Sequence, residues 1–352
     1  MSLPIKYLLT QAIQQTPSAD NSQPWHITWT DSILSLSYDT ARVADKTFPS
    51  NSPAILLSIG AAIENLYQVA CQLNIDINID TSLYIECENP TYFRAHFKQS
   101  DLDKPITVDS IPVFERHTNR LAYTSTPIAE DILAVLKNLT LGSASLRIIS
   151  DKKEIKILGK LVQKASEIRF KTQEINEWLA KSLRFGNDAE KTKDGLDVAT
   201  LDLPPGGSLF LRLIGNWKRM QLLNLLGTYL TMSLIDSAPV KKAPALIAIT
   251  APSNAQGIME AGQLMEKVWI DLNSKGIAAH PYYVICDQLH RRKSGVIPKG
   301  LEKKADMIYA ETQQLFQFEE GKELQMLLRI GHPKKTAKRS QRLDFNKFCS
   351  GL

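Results

Sequence analysis

The sequence lacks several features that would classify it quickly. Its four cysteines in 352 residues, Cys71, Cys87, Cys286 and Cys349, show neither C-x-x-C spacing nor a histidine at metal-ligand distance. That argues against a disulfide scaffold and a metal site, and for reduced thiols in a cytoplasm. No stretch reaches the roughly 18 apolar residues that a membrane span needs; the best, PAILLSIGAAI at 53–63, falls well short. The start, MSLPIKYLLTQAI, carries one lysine and an apolar run broken by Thr10 and Gln11, too short and polar for a signal peptide. There is no short repeat period to suggest a solenoid. The expectation is a cytoplasmic protein with no membrane partner.

What is present fits a mixed α/β globular chain. Hydrophobic content of 43% and charged content of 22% are ordinary for a folded domain and argue against wholesale disorder. The length suits two domain-sized units or one fused unit. The net charge of +5 is uneven, because HPKKTAKRSQR at 332–342 holds Lys334, Lys335, Lys338, Arg339 and Arg342. This stretch is either a solvated basic segment or a ligand for an anion. It lacks interleaved aromatics and any recognition motif, so no nucleic-acid partner is expected.

Ile5, Leu8, Leu9, Ala12 and Ile13 follow helical spacing, and Pro17 stops that helix. WHITW and ILSLSY read as a hairpin. Pro53, after Asn51 and Ser52, opens a helix to about Leu73 whose early part is apolar on nearly every face, which predicts a helix surrounded by protein. Two β-like stretches near 75–88 precede a passage punctuated by Pro90, Pro105 and Pro112, read as an irregular boundary. A helix near 128–138, a strand near 145–150 and one long helix over 151–182 follow. The segment 184–208 mixes charge, glycine and proline and reads as a long loop. ALIAIT at 245–250 is a buried strand. Ser253 and Gln256 form a capping box for the next helix, which Lys275-Gly276 stops. HPYYVI, a helix over 301–316 and a strand over 324–331 complete the core.

Two short stretches carry the chemistry. SADNSQPWHITW, 18–29, places Ser18, Asn21 and Gln23, all able to hydrogen-bond to the edge of a flat ring, just before Pro24 and Trp25. ERHTNRLAY, 115–123, sets Arg116 and Arg120 on either side of Thr118; two guanidinium forks and a hydroxyl suit a phosphate. Alone, that second pattern also fits an ordinary basic surface.

Together they resemble the flavin-nitroreductase family. PSADNSQPWHI is similar to that family's P-S-x-x-N-x-Q-P-W-x-F turn, and ERHTNRLAY to its R-[HR]-S-x-[RK] phosphate motif. The late strand ending in Gly-x-Pro before basic residues is matched by Arg329-Ile330-Gly331-His332-Pro333. The resemblance implies an α+β fold that forms a homodimer, with an FMN at the subunit interface between the arginines of one subunit and the turn of the other. The order departs from the family's: here the turn comes first and the arginines follow about a hundred residues later. No arginine precedes Arg42, and no second N-x-Q-P-W turn follows Arg120. The two halves, 1–110 and 111–352, therefore read as two nitroreductase-like units fused into one pseudo-dimeric chain that keeps one of two flavin sites.

Carried over by motif, Arg116, Thr118 and Arg120 hold the phosphate, helped by Lys338, Arg339 or Arg342. Pro17 opens the turn, Ser18 and Asn21 meet the pyrimidine edge of the flavin, and Gln23 braces the turn. His117 matches a motif position that uses its backbone. Pro281 stands where the family supplies the donor to the flavin N5, with Tyr282 and Tyr283 where small or acidic residues are expected. Hydride reduction places negative charge near N1 and C2=O, so donors there raise the potential. The resemblance implies an oxidoreductase with one FMN per chain, reduced by NAD(P)H and passing electrons to a small-molecule acceptor. An alternative class is a non-catalytic FMN-binding protein with a covered site, 184–208 being the cover. Fusion implies a monomeric pseudo-dimer or a weak homodimer.

Overall fold

The computed structural model describes residues 1–352 except 44–46, 83–86, 88 and 99–110. Helix α1, Leu3–Gln14, opens on a proline in its first turn and buries Ile5, Leu8, Leu9, Ala12 and Ile13, the stripe its spacing predicts. Strands β1, Trp25–Thr30, and β2, Ile33–Tyr38, form the expected hairpin. Asp31 takes a positive φ of 51° in its two-residue turn, as such turns require. Helix α2, Pro53–Gln72, is buried at every residue from Pro53 to Leu66. By length and composition it could cross a membrane, but its most apolar window is 83% buried inside the protein.

Strand β3, Asp76–Asp80, is the first of the two expected β-like stretches; the second falls largely on residues outside those described. Strand β4, Thr91–Lys98, occupies part of the passage read as an irregular boundary. Phe93, Ala95 and Phe97 are buried while Arg94, His96 and Lys98 are exposed, a period-2 pattern that the neighbouring prolines obscured. The remainder of that passage up to residue 110 is not among the described residues.

Helix α3, Glu130–Lys137, and strands β5, Thr140–Leu141, and β6, Ala144–Ile149, follow. The single long helix expected over 151–182 is two, α4, Lys152–Arg169, and α5, Gln173–Ser182. At the break the Thr172 hydroxyl donates to the Ile168 carbonyl at 2.8 Å, a local bond that competes with continuation of the backbone ladder. The expected loop at 184–208 is also structured, with β7, Leu183–Arg184, α6, Asp188–Thr192, and β8, Leu196–Asp197. Its mixed charge pairs internally: Arg184 reaches Asp194 at 2.8 Å.

Three helices that sequence periodicity did not resolve come next, α7, Gly207–Ile214, α8, Trp217–Leu225, and α9, Thr228–Lys241. Strand β9, Ala245–Pro252, leads to α10, Ala255–Ser274. The cap of α10 is Asn254, whose Oδ1 accepts from Gly257 N at 2.8 Å, rather than Ser253, whose hydroxyl donates to Glu323 at 2.6 Å. Strand β10, Ala278–Tyr282, α11, Val284–Lys293, α12, Glu302–Phe316, β11, Lys322–Gly331, and β12, Cys349–Ser350, complete the chain.

The fold is α+β. One sheet has the order β12-β1-β2-β4-β3 and the other β10-β11-β9-β6-β5. The last strand thus leaves the second sheet's part of the chain and pairs in parallel with β1, Ile27 opposite Cys349. Between the sheets α2 packs on α10. A Cβ on Gly60 would sit 1.9 Å from the Met259 carbonyl oxygen, and one on Gly262 2.1 Å from that of Leu57. Only glycine allows backbones this close, so these two residues set the distance between the halves. A single apolar cluster runs through both.

Candidate functional site

A cavity of about 460 Å³ lies where the turn after α1, the start of α2, the 116–120 segment and the β10–α11 junction meet. Its volume is in the range of small-molecule sites. The turn is bent hard, with positive φ at Asp20 (48°), Asn21 (57°) and Gln23 (49°). Non-glycine residues pay for that conformation in strain, so surrounding contacts must hold it. They do: Ser18 Oγ accepts from Gln23 N at 3.0 Å, and Trp178 Nε1 donates to Asp20 Oδ2 at 2.9 Å. Asn21 Nδ2 donates to the Gln341 carbonyl at 3.0 Å, and its Oδ1 accepts from Arg342. The buried Gln23 amide accepts from Leu343 N and donates to the Lys193 carbonyl, both at 3.0 Å.

Pro17, Ser18 and Asn21 therefore line the cavity, whereas Gln23 does not. With both ends of its amide engaged by backbone, Gln23 is a brace and is removed from the ligand-contact set.

The arginine segment is fixed by a bridge between Thr118 and Ala279 and by Asn119 N donating to the Ala279 carbonyl at 3.1 Å. Arg116, Thr118 and Arg120 all line the cavity. Arg116 is buried, lies 4.6 Å over the Trp269 ring, donates to the Gln15 carbonyl and approaches Glu266 to 2.6 Å. That last contact is an ion pair off the hydrogen-bond line, and among the described residues Arg116 Nε and both Glu266 oxygens have no hydrogen-bond partner. Among the described residues Arg120 makes one hydrogen bond, a long 3.4 Å contact to Thr200. His117 faces away: its N–H donates to Asn273 at 2.9 Å, and its ring nitrogen meets the Glu115 carbonyl at 2.8 Å.

Of the three basic candidates near the C-terminus, Arg342 lines the cavity and the other two do not. Lys338 is drawn 2.9 Å from the buried Asp197 carboxylate. Arg339 donates to the Phe114 and Glu115 carbonyls at 2.7 and 2.9 Å, which stand free at the end of a short 3₁₀ turn. Arg339 and His117 line a polar recess of about 380 Å³ that shares Arg116, Thr118 and Arg342 with the cavity.

One end of the cavity is thus short of negative charge. Burial, and then the neighbouring Arg116, lower the Arg342 pKa to about 9, while burial raises Glu266 to about 7 against the pull of Arg116. Among the described residues Arg342 Nε has no hydrogen-bond partner. A buried cation cluster with unfilled donors is built for an anion.

Apolar and aromatic side chains form much of the remaining lining, among them Phe48, Leu57, Trp178, Tyr282 and Tyr283. Pro281 also lines the cavity. The Tyr282 hydroxyl donates to the Asp236 carbonyl at 3.3 Å, and burial pushes its pKa up, so it stays neutral. Leu196, Leu201 and Leu203 close one side from the segment expected as a cover.

Several polar lining residues escaped the sequence reading, among them Arg169, Asp202, Asp236, His280 and Asp287, and the last two have strongly shifted ionisation. His280 Nδ1 is buried with no hydrogen-bond partner among the described residues, and burial, then Arg329 and Arg120, hold the ring well below its usual pKa. It is a neutral imidazole facing the cavity. Asp287 is raised to about 6 by burial, opposed by Arg291 and Arg169. The only signal for either was adjacency to Pro281 and Tyr282 in HPYYVICD.

No family model matches the chain. A curated relative, the uncharacterized protein MT1398 of Mycobacterium tuberculosis, is 23% identical over 286 residues, covering 79% of this chain and 38% of its own length. The chain thus spans well under half of the relative it matches. Similar solved structures include a nitroreductase with bound FMN from Bacteroides fragilis, at 12% identity and a TM-score of 0.39, covering 68% of this chain and 95% of that one. A BluB-like flavoprotein from Clostridium difficile is 14% identical with a TM-score of 0.38, covering 70% of this chain and all of its own.

Proposed function

We propose that the chain holds one FMN in this cavity and acts as an oxidoreductase of the nitroreductase type. The observation that carries the reading is that Ser18 and Asn21, from the 17–23 turn, and Arg116, Thr118 and Arg120, about a hundred residues later, line one cavity. The residues fit the group. The cation cluster with its unfilled Arg342 Nε suits a phosphate, the aromatic and leucine walls suit a flat ring, and the turn offers neutral polar groups for its edge. Bound there, flavin would supply the hydride acceptance and donation that no side chain of this chain can supply.

The protein's own part is binding and orientation. Arg120 and Thr118 take the phosphate, with Arg116 and Arg342 adding field from fixed positions. Ser18 and Asn21 set the ring edge, and neutral His280 and Tyr282 line the ring side without adding charge. NAD(P)H as reductant and a small-molecule acceptor complete the reading, with 1–110 and 111–352 as the two fused halves of a monomeric pseudo-dimer.

A second reading, an FMN-holding protein without turnover, is favoured by one observation: the bulky side chains of Tyr282, Tyr283, Leu201 and Leu203 line the cavity. Anaerobic addition of NADH and NADPH to the flavin-loaded protein separates the two. Bleaching of the flavin band supports the enzyme, and none with either supports storage. Arg120→Ala tests binding itself, and a variant that keeps its flavin would place the phosphate elsewhere.

A further inference from the structure

Exposed apolar side chains concentrate on α7, α8 and α9, and α8 packs on both of the others. Leu225 and Leu226, at the turn between α8 and α9, are each 81% exposed; Leu209 is 73% and Leu222 64% exposed. Single exposed leucines are ordinary, whereas a contiguous patch marks an interaction surface. On α8 the same face carries both chemistries: Lys218, Leu222 and Leu225 stand at i, i+4 and i+7, and Arg219 lies beside Lys218.

Charge decides what covers the patch. From 206 to 242 the chain has Arg212, Lys218, Arg219, Lys241 and Lys242 against Asp236 alone, five cations and one anion for a net +4. Among the described residues Arg212, Lys218 and Arg219 have no ion pair; Arg212 instead stacks 4.0 Å from the Phe185 ring. A second copy docked face to face would set like charge against like. A leucine tip with lysine and arginine behind it, and Trp217 at the start of the same helix, has the chemistry of a helix lying in an anionic lipid interface.

We infer that α7–α9 dock this protein on an anionic membrane surface, with Leu225 and Leu226 entering the headgroup boundary and Lys218 and Arg219 meeting lipid phosphates. This replaces the expectation of no membrane partner, which addressed only spanning segments. The surface adjoins the cavity, because Ile235, Asp236 and Pro239 of α9 line it, so docking brings the cavity mouth to the lipid. The inference stands whether or not the cavity holds a flavin.

Co-sedimentation of the full chain with vesicles tests it. At low ionic strength the protein should pellet with vesicles of equal parts phosphatidylglycerol and phosphatidylcholine, and stay in the supernatant with phosphatidylcholine alone. Each cation near such a surface is worth about fivefold in partition, so Lys218→Gln with Arg219→Gln should weaken binding more than about tenfold, as should added salt. Leu225→Glu with Leu226→Glu should abolish pelleting while leaving the melting temperature unchanged, since both side chains are solvated. Wild type remaining in the supernatant with the anionic vesicles would overturn the inference. So would equal pelleting by the leucine variant, or a concentration-dependent dimer in sedimentation velocity that this variant disrupts without any lipid binding.

Discussion

The two sides of the cavity are held by opposite means. The 17–23 turn, whose one charge is Asp20, is held by hydrogen bonds: three non-glycine residues at positive φ are pinned by bonds with Trp178, Gln341 and Leu343. The 116–120 segment is charged, with Arg116 buried against Glu266 and Arg120 barely held. The difference teaches a division of labour. A strained, over-determined turn fixes direction, which a planar ring edge needs. A cation cluster in excess of its counter-charge supplies attraction, which an anion needs, and its looser member is the one free to bind.

Breaking the charged side should do the most damage. Arg116→Met leaves Glu266 buried alone and should cost about 3–5 kcal/mol in chemical denaturation. The effect should depend on pH. Burial raises Glu266 above its ordinary 4.5, so its contribution is full below about 4.5 and is lost as pH rises through about 7. Without Arg116 that loss widens, and the melting deficit of the variant should be greater at pH 8 than at pH 5. An equal deficit at both would mean that the pair is not coupled.

Gly60→Ala separates the halves rather than either side. Its Cβ would meet the Met259 carbonyl oxygen, and overpacking against backbone should cost about 3 kcal/mol. A variant with unchanged stability would mean that α2 and α10 are not in this contact. On the hydrogen-bonded side, Gln23→Ala removes a buried amide with backbone partners at both ends and should cost about 2 kcal/mol. Flavin content should fall with it, since the turn relaxes.

The smallest stability effect belongs to Arg120→Ala. Partly buried and, among the described residues, hydrogen-bonded only by the 3.4 Å contact to Thr200, it should cost the apo protein no more than about 1 kcal/mol, the scale of one net hydrogen bond. Flavin affinity should nevertheless drop by more than about tenfold, the scale of one charge-assisted hydrogen bond, read from flavin retained after gel filtration. A large stability loss with normal flavin would reverse the roles assigned to Arg116 and Arg120.

Much of this was legible where local pattern and motif coincide. The apolar faces of α1 and α2, the hairpin around Asp31 and both motif stretches could be read from spacing and residue type. What escaped depends on distant partners. That Gln23 braces the turn was legible, but its partners Leu343 and Lys193 were not. Lys338 and Arg339 leave the site because Asp197 and the Phe114 and Glu115 carbonyls draw them off. His280 gains its place from burial beside Arg329 and Arg120, which no window of sequence contains. Strand β4 was hidden by flanking prolines, and the segment 184–208 orders itself through the Arg184–Asp194 pair.

The central claim is that one chain carries two unlike halves of a single flavin site. It is tested most directly by the FMN content of the purified full-length protein after reconstitution and gel filtration, from flavin absorbance against protein concentration. One FMN per chain is the result predicted; two per chain would contradict the fusion of complementary halves, and none would contradict the flavin site itself.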